Sequence, residues 1–435
     1  MIELKNHELH FSFSEPFETV RNLASDYALK TLPLILAEDR DAALDACFRA
    51  NFRYEETSQE DQQTLREQVR LLPPEKIAAF FKKKVHRTAL PDCHCCKSAQ
   101  MSVAFKRTLR VPNDGKDHFL PPGFGEFPLQ HVDDYADRAP TSWLERGGVM
   151  LPMYQAEALW INFNSSYPFA VKIASGKINA ITGAPWQSGL HRQPQDYLVL
   201  PEQPWLDGFV VGDGVVRQFV AMPLGTGASV EEQSTGKAET GGIQIQVFPM
   251  KAEYYFRNQV LPLLPRTLEE LLPEMLAELE IGHEVVGRCS KRFIIAESAM
   301  GLGAGGKIKQ QVYQDPHELN VWDTSLTSRC FVHLCNALVW REITGTNPPH
   351  PPITANEYQT SGMPWFDFYR DDLETLAGSE ALAKIKTVGA LSAGQGTKPV
   401  TSHTVAQAPK ILNCGPQIRP REVRQWAPAE DVLKT

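Results

Sequence analysis

From Gly148 to Met250, apolar and polar positions alternate in short runs broken by turn residues, with hardly a helical period among them. Ala158 to Phe163, Phe169 to Ala174 and Ile178 to Ile181 each read as a strand, the last two joined by a Ser175-Gly176-Lys177 turn. Phe209-Val210-Val211 and Val215 to Val220 flank Gly212-Asp213-Gly214, a clear hairpin signal. Met101 to Val111 adds a strand upstream, and Pro121-Pro122-Gly123-Phe124-Gly125 reads as a turn-rich loop. The pattern predicts an α+β protein. Its core domain, residues 101–325, is expected to be a mainly antiparallel β-sandwich or barrel with helical segments at both ends.

Residues 1–90 read as a helical N-terminal segment, with helices over Glu18 to Leu36, Arg40 to Asn51, Gln59 to Leu71 and Glu75 to Lys84. Residues 91–100 form a Cys-rich linker. Arg266 to Gly282 is the best-specified helix, with Thr267 and Glu270 as a capping box, an apolar face of leucines and Gly282 at its end. Strands over Glu284 to Val286 and Arg292 to Ala296 follow it. Residues 326–386 read as the helical C-terminal part of the core. They hold a helix over Ser328 to Ile343, a stiff Pro348 to Pro352 connection, and short helices over Ala355 to Thr360 and Asp371 to Ile385. Residues 387–435 are rich in Ser, Gly, Thr, Gln and Pro and are expected to form an extended or disordered tail.

Charge and composition narrow the function classes. The 435 residues carry a net charge of −8 with both signs interspersed. A general nucleic-acid binder needs a basic footprint, and an anionic membrane surface would repel this chain. No stretch approaches the roughly 18 uncharged apolar residues of a membrane helix. Met1 to His7 lacks the charged-then-apolar layout of a signal peptide, so the expected location is cytoplasmic. Eight cysteines are too few for a disulfide scaffold of this length.

Four groups of residues could carry chemistry. Gly301-Leu302-Gly303-Ala304-Gly305-Gly306-Lys307 matches a phosphate-loop spacing, but Ile308 follows where Ser or Thr would reach magnesium, and Lys307 to Tyr313 reads as a strand. The glycines are therefore expected to form a loose hairpin. Cys93, His94, Cys95 and Cys96 are the densest set of soft ligands, suited to zinc or to a redox-sensing thiol cluster but too tight to supply all four ligands of one ion. On the expected helix from Ser328, Cys330 and His333 stand three residues apart, the spacing of a thiolate–imidazole pair. Aromatic and acidic residues cluster in loops: Trp186, His191, Arg192 and Asp196; Trp205 and Asp207; Trp322 and Asp323; Trp365 and Asp367. An aromatic plate beside a charged group stacks on a sugar or grips an ion. Trp186, His191, Trp205, Asp207, Trp322 and Trp365 are thus the candidate ligand contacts.

Longer phrases carry a resemblance. Leu151-Pro152-Met153-Tyr154-Gln155-Ala156-Glu157-Ala158-Leu159-Trp160, Gln203-Pro204-Trp205-Leu206-Asp207-Gly208, Arg217 to Gly225 and Ser328 to His333 resemble a widespread family of uncharacterised bacterial and fungal proteins. Some members bear the label "integral membrane protein". The resemblance spans roughly Lys106 to Asp371 and implies no established activity.

The leading expectation is a cytoplasmic binding or interaction protein that uses the loop rim of the sheet to hold a small molecule, a glycan or a protein. The alternative is a hydrolase-type enzyme with a site among Glu231, Glu232, Glu297, Lys307, Asp323, Arg329 and His333. A metal-binding or redox-sensing role for Cys93, Cys95 and Cys96 is the third expectation.

Overall fold

The alternating runs fold as strands. The computed structural model describes residues 1–38, 98–263, 299–352, 365–368, 370, 372–394 and 411–414. The chain divides into two compact units. One comprises Met1–Ser12, Gln100–Pro249 and Lys291–Thr435, the other Phe13–Ala99 and Met250–Ser290.

The first unit holds the sheet. Strands β1 (Ile2–Lys5) and β2 (Glu8–Phe13) form an antiparallel hairpin. Then come β3 (Ala99–Thr108), β4 (Asp117–His118), β5 (Gly123–Glu126), β6 (Gln130–His131) and β7 (Val149–Met153). The middle third contributes β8 (Ala158–Ser165), β9 (Phe169–Ser175), β10 (Ile178–Asn179), β11 (Leu198–Leu200), β12 (Trp205–Leu206), β13 (Gly208–Gly212), β14 (Val215–Pro223) and β15 (Ile243–Pro249). The long strands β16 (Ala299–Lys309) and β17 (Ser328–Asn336) complete it.

Within this sheet the described pairings are antiparallel except for β16 with β4 and β17 with β7. The pairings return on themselves. From β8 they pass to β14, β16, β17, β15 and β9. From β9 they reach β11, and the same segment then pairs as β12 with β8. This closed, largely antiparallel arrangement with few helices is the expected α+β architecture.

Register explains the core. Ile173 lies opposite Ile245, and Ile245 opposite Cys330 on the far side. One face of β9, β15 and β17 therefore presents Val171, Ile173, Ile243, Ile245, Val247, Cys330, Val332 and Leu334, all buried. Each such side chain contributes roughly 1.5–3 kcal/mol on burial. The other face of the same strands carries Lys172, Gln244, Gln246, Arg329 and Phe331.

Three expectations are overturned. Gly301 to Lys307 is no hairpin: it lies inside β16, paired with β14 along its length. Its glycines permit close packing instead. A Cβ on Gly306 would sit 2.2 Å from the Pro112 carbonyl oxygen, and one on Gly303 would sit 2.8 Å from that of Ala228. The expected helix over Ser328 to Ile343 splits into β17 and a helix over Ala337–Thr344. Asn336 caps that helix by accepting the Leu338 N–H, and Gly345 ends it at φ 71°. Cys330 and His333, three apart on a strand, face opposite ways, so the thiolate–imidazole pair does not form.

Other differences are local. A short strand, β5, runs through the turn-rich Gly123–Glu126. Of the stretch around Asp371 to Ile385, Glu380–Ala383 is helical among the described residues. The expected tail supplies a helix, Val388–Gly394, with Val388 buried, and strand β19 (Ile411–Cys414), parallel to β18 (Trp365–Phe368). In the second unit the helix Ser14–Glu38 covers the expected Glu18 to Leu36, and helical turns run from Ala252 to Leu263. The helices expected between Arg40 and Lys84, over Arg266 to Gly282 and over Ala355 to Thr360 lie outside the described residues, as do the strands between Glu284 and Ala296. No described helix is long and apolar enough to cross a membrane.

Candidate ligand-binding site

A polar row crosses the outer face of three strands. Lys172 on β9 lies opposite Gln246 on β15, which lies opposite Arg329 on β17. One step along, Gln244 lies between Ala174 and Phe331. Residues 184–196 fold over this row and bring Trp186, His191 and Asp196 to it.

Lys172 fastens that covering segment. Its Nζ donates to the carbonyls of Gln187 at 2.6 Å and Gly189 at 2.8 Å, and lies 2.6 Å from Asp196 Oδ2. An ammonium has three protons, so all are committed. The side chain is 1% exposed. Lys172 is thus a clip that holds the covering segment. Asp196 in turn accepts from the His191 backbone N–H through Oδ1, and its Oδ2 meets His191 Nδ1, each at 2.9 Å. Asn179 reinforces the turn by donating to the Asp196 carbonyl at 2.8 Å.

Arg329 is the exposed end of the row. Its guanidinium lies 5.0 Å from the Trp186 ring centre and 4.8 Å from that of Phe331, so aromatic rings flank it on two sides. Each contact contributes about 0.5–1 kcal/mol at an exposed site. One amino group, Nη2, donates to Gln244 Oε1. Gln244 is itself oriented by donating to the Gly176 carbonyl at 2.6 Å. No carboxylate pairs with Arg329 among the described residues, and partial burial lowers its pKa from the ordinary value. The result is an exposed guanidinium beside two rings, with donors to spare among the described residues.

The stack continues inward along β17. Phe331 and His333 are stacked at 6.3 Å, and His333 and Trp143 at 4.9 Å. His333 Nε2 lies 3.0 Å from the Gly147 carbonyl oxygen and donates to it. Burial pushes its pKa down to about 4, so the ring is neutral near pH 7. His333 therefore supports Phe331 from behind.

The remaining candidates occupy other places. Trp205 and Asp207 are buried. Trp205 packs edge-on against Trp160, and Asp207 binds the Gln310 amide at 3.1 Å. Trp322 is buried and donates to Asp315 at 2.8 Å; Trp365 is buried too. Lys307 lies 3.8 Å from Asp117, and Asp323 accepts from the N–H groups of Ser325 and Leu326. Glu231 accepts the N–H groups of Lys177, Thr240 and Gly241, and Glu232 those of Gly225, Gly227 and Ser229. Both glutamates hold backbone together. Glu297, Cys93, His94, Cys95 and Cys96 lie outside the described residues. Among the described residues, no group of three or more His, Cys, Asp or Glu side chains could hold a metal.

Sequence patterns reached Trp186, His191 and Asp196, neighbours in one loop, and Arg329 separately. They missed Lys172, Gln244 and Gln246. The available signal was a lone lysine inside the apolar run Phe169 to Ala174. A charge there needs a buried partner.

No known protein family, curated protein or solved structure matches the chain.

Proposed function

We propose that this protein binds an anionic small molecule at the Arg329 edge of the polar row, beneath residues 184–196. One observation carries the reading: Arg329 is exposed, flanked by Trp186 and Phe331, and faces no carboxylate among the described residues. A guanidinium fixed in this way loses little freedom on meeting a carboxylate or phosphate, which favours recognition. On this reading, the loop-rim binding role falls to the Arg329 edge. Isothermal titration with a panel of carboxylates, inorganic phosphate and neutral analogues tests it. Anions should bind, neutral analogues should not, and Arg329→Gln should weaken anion binding at least ten-fold. An anion panel that fails to bind, or binding indifferent to Arg329→Gln, overturns the reading.

A second reading has one observation in its favour. His191 is exposed, and Asp196 holds its Nδ1, leaving Nε2 for proton transfer. Hydrolysis of an ester or amide library, abolished by His191→Gln, would favour an enzyme. Turnover unchanged in that variant would remove it.

A further inference from the structure

Gln246 sits between Lys172 and Arg329 in the row and is 6% exposed. Its amide orientation follows the hydrogen bonds around Thr327. Thr327 spends its hydroxyl proton on the Val247 carbonyl at 3.1 Å, so towards Gln246 the hydroxyl can only accept. Gln246 Nε2 donates to it at 3.1 Å. The other arm, Oε1, is a buried acceptor with no partner among the described residues. Neither cation beside it supplies one. All three Lys172 protons are committed, and Arg329 turns to Gln244. A buried acceptor left unbonded is costly, which makes a site that retains one informative.

From these observations, and resting on the anion-binding reading above, we infer that the ligand is a hydroxycarboxylic acid. Its carboxylate meets the free edge of Arg329, and a neighbouring hydroxyl donates to Gln246 Oε1. Gln246 and Arg329 stand directly opposite on strands about 4.8 Å apart, so one small ligand can touch both side chains. The donor is a hydroxyl and not an ammonium, because Lys172 and Arg329 flank Gln246 with positive charge. We take the anion to be a carboxylate, because a planar guanidinium beside two aromatic rings suits a planar partner. The indole of Trp186 lies 5.2 Å from Lys172 Nζ and 5.0 Å from Arg329, the two neighbours of Gln246 in the row. Oε1 is sealed from solvent, so the hydroxyl reaches it from the Arg329 end as the cover formed by residues 184–196 shifts.

Titration calorimetry on the full chain separates the outcomes. Glycolate, lactate and gluconate are compared with acetate, propionate and inorganic phosphate. Hydroxy acids should bind at least ten-fold tighter than their deoxy counterparts. Gln246→Leu should shrink that preference to within two-fold while weak carboxylate binding persists. Arg329→Gln should remove both. Equal affinity for glycolate and acetate, a preference that survives Gln246→Leu, or tighter binding of phosphate would each overturn the inference and leave the anion site standing. Failure of every anion to bind would instead sink the underlying reading. The deoxy comparison uses the unaltered protein, so the test holds even where Gln246→Leu does not fold.

Discussion

Replacing Lys172 by methionine keeps the apolar stem and deletes the clip. The variant leaves Asp196, whose side chain is 10% exposed, without the ammonium 2.6 Å away. Removing one partner of a buried pair costs roughly 3–5 kcal/mol. The lower end applies here. Asp196 keeps two donors from His191, and the Gln187 carbonyl belongs to an exposed residue that water reaches. A loss of about 3 kcal/mol corresponds to about two decades in an equilibrium constant. Hydrogen exchange reads it locally, at the His191 and Asp196 amides, which bond to Asp196 Oδ1 and the His191 carbonyl. Their protection should fall about a hundred-fold in Lys172→Met, while amides of β14 and β16 change little. A cycle with Asp196→Asn isolates the pair and should return coupling well above about 1 kcal/mol. Coupling near zero, or unchanged exchange across residues 184–196, would refute the idea that this lysine holds the cover in place.

Two further predictions concern the frame around the site. His333 has a folded pKa of about 4, below the roughly 6.5 of an unfolded chain. Its contribution is complete above about pH 6.5 and is lost as pH falls towards 4, amounting to about 3 kcal/mol. Urea unfolding at about pH 7 and pH 4 should show that extra acid loss in the wild type but not in His333→Phe, and equal losses would rule it out. Gly306→Ala forces a Cβ to within 2.2 Å of the Pro112 carbonyl and should cost at least about 2 kcal/mol in the same assay. Gly212→Ala, with its nearest contact at 4.0 Å, serves as a mild control.

How much of this was legible in the sequence depends on the range of the interaction. The strands from Ala158 to Val220 were legible because period-two alternation and the Gly212-Asp213-Gly214 turn are local signals. Ser328 to Ile343 was misread because Phe331, Leu334, Cys335 and Leu338 fit a helical stripe as well as Cys330, Val332 and Leu334 fit a strand. Pairing with β15 and β7 decides between them, and no local pattern contains that. The glycine run looked like a phosphate loop because both uses need residues without a Cβ; here Pro112 and Ala228 are what approach. Trp186, His191 and Asp196 were legible as one loop cluster. Their meeting with Lys172, Gln246 and Arg329 rests on pairing between positions 172, 246 and 329, far apart in the chain.

Arginine side-chain NMR tests the central claim most directly, because it observes the Arg329 guanidinium itself. Titrating glycolate into protein with labelled arginines should produce a saturable shift of one Nε–H signal, which Arg329→Lys assigns by its disappearance. Saturation that follows a different arginine, or no shift at all across the anion panel, would contradict the account.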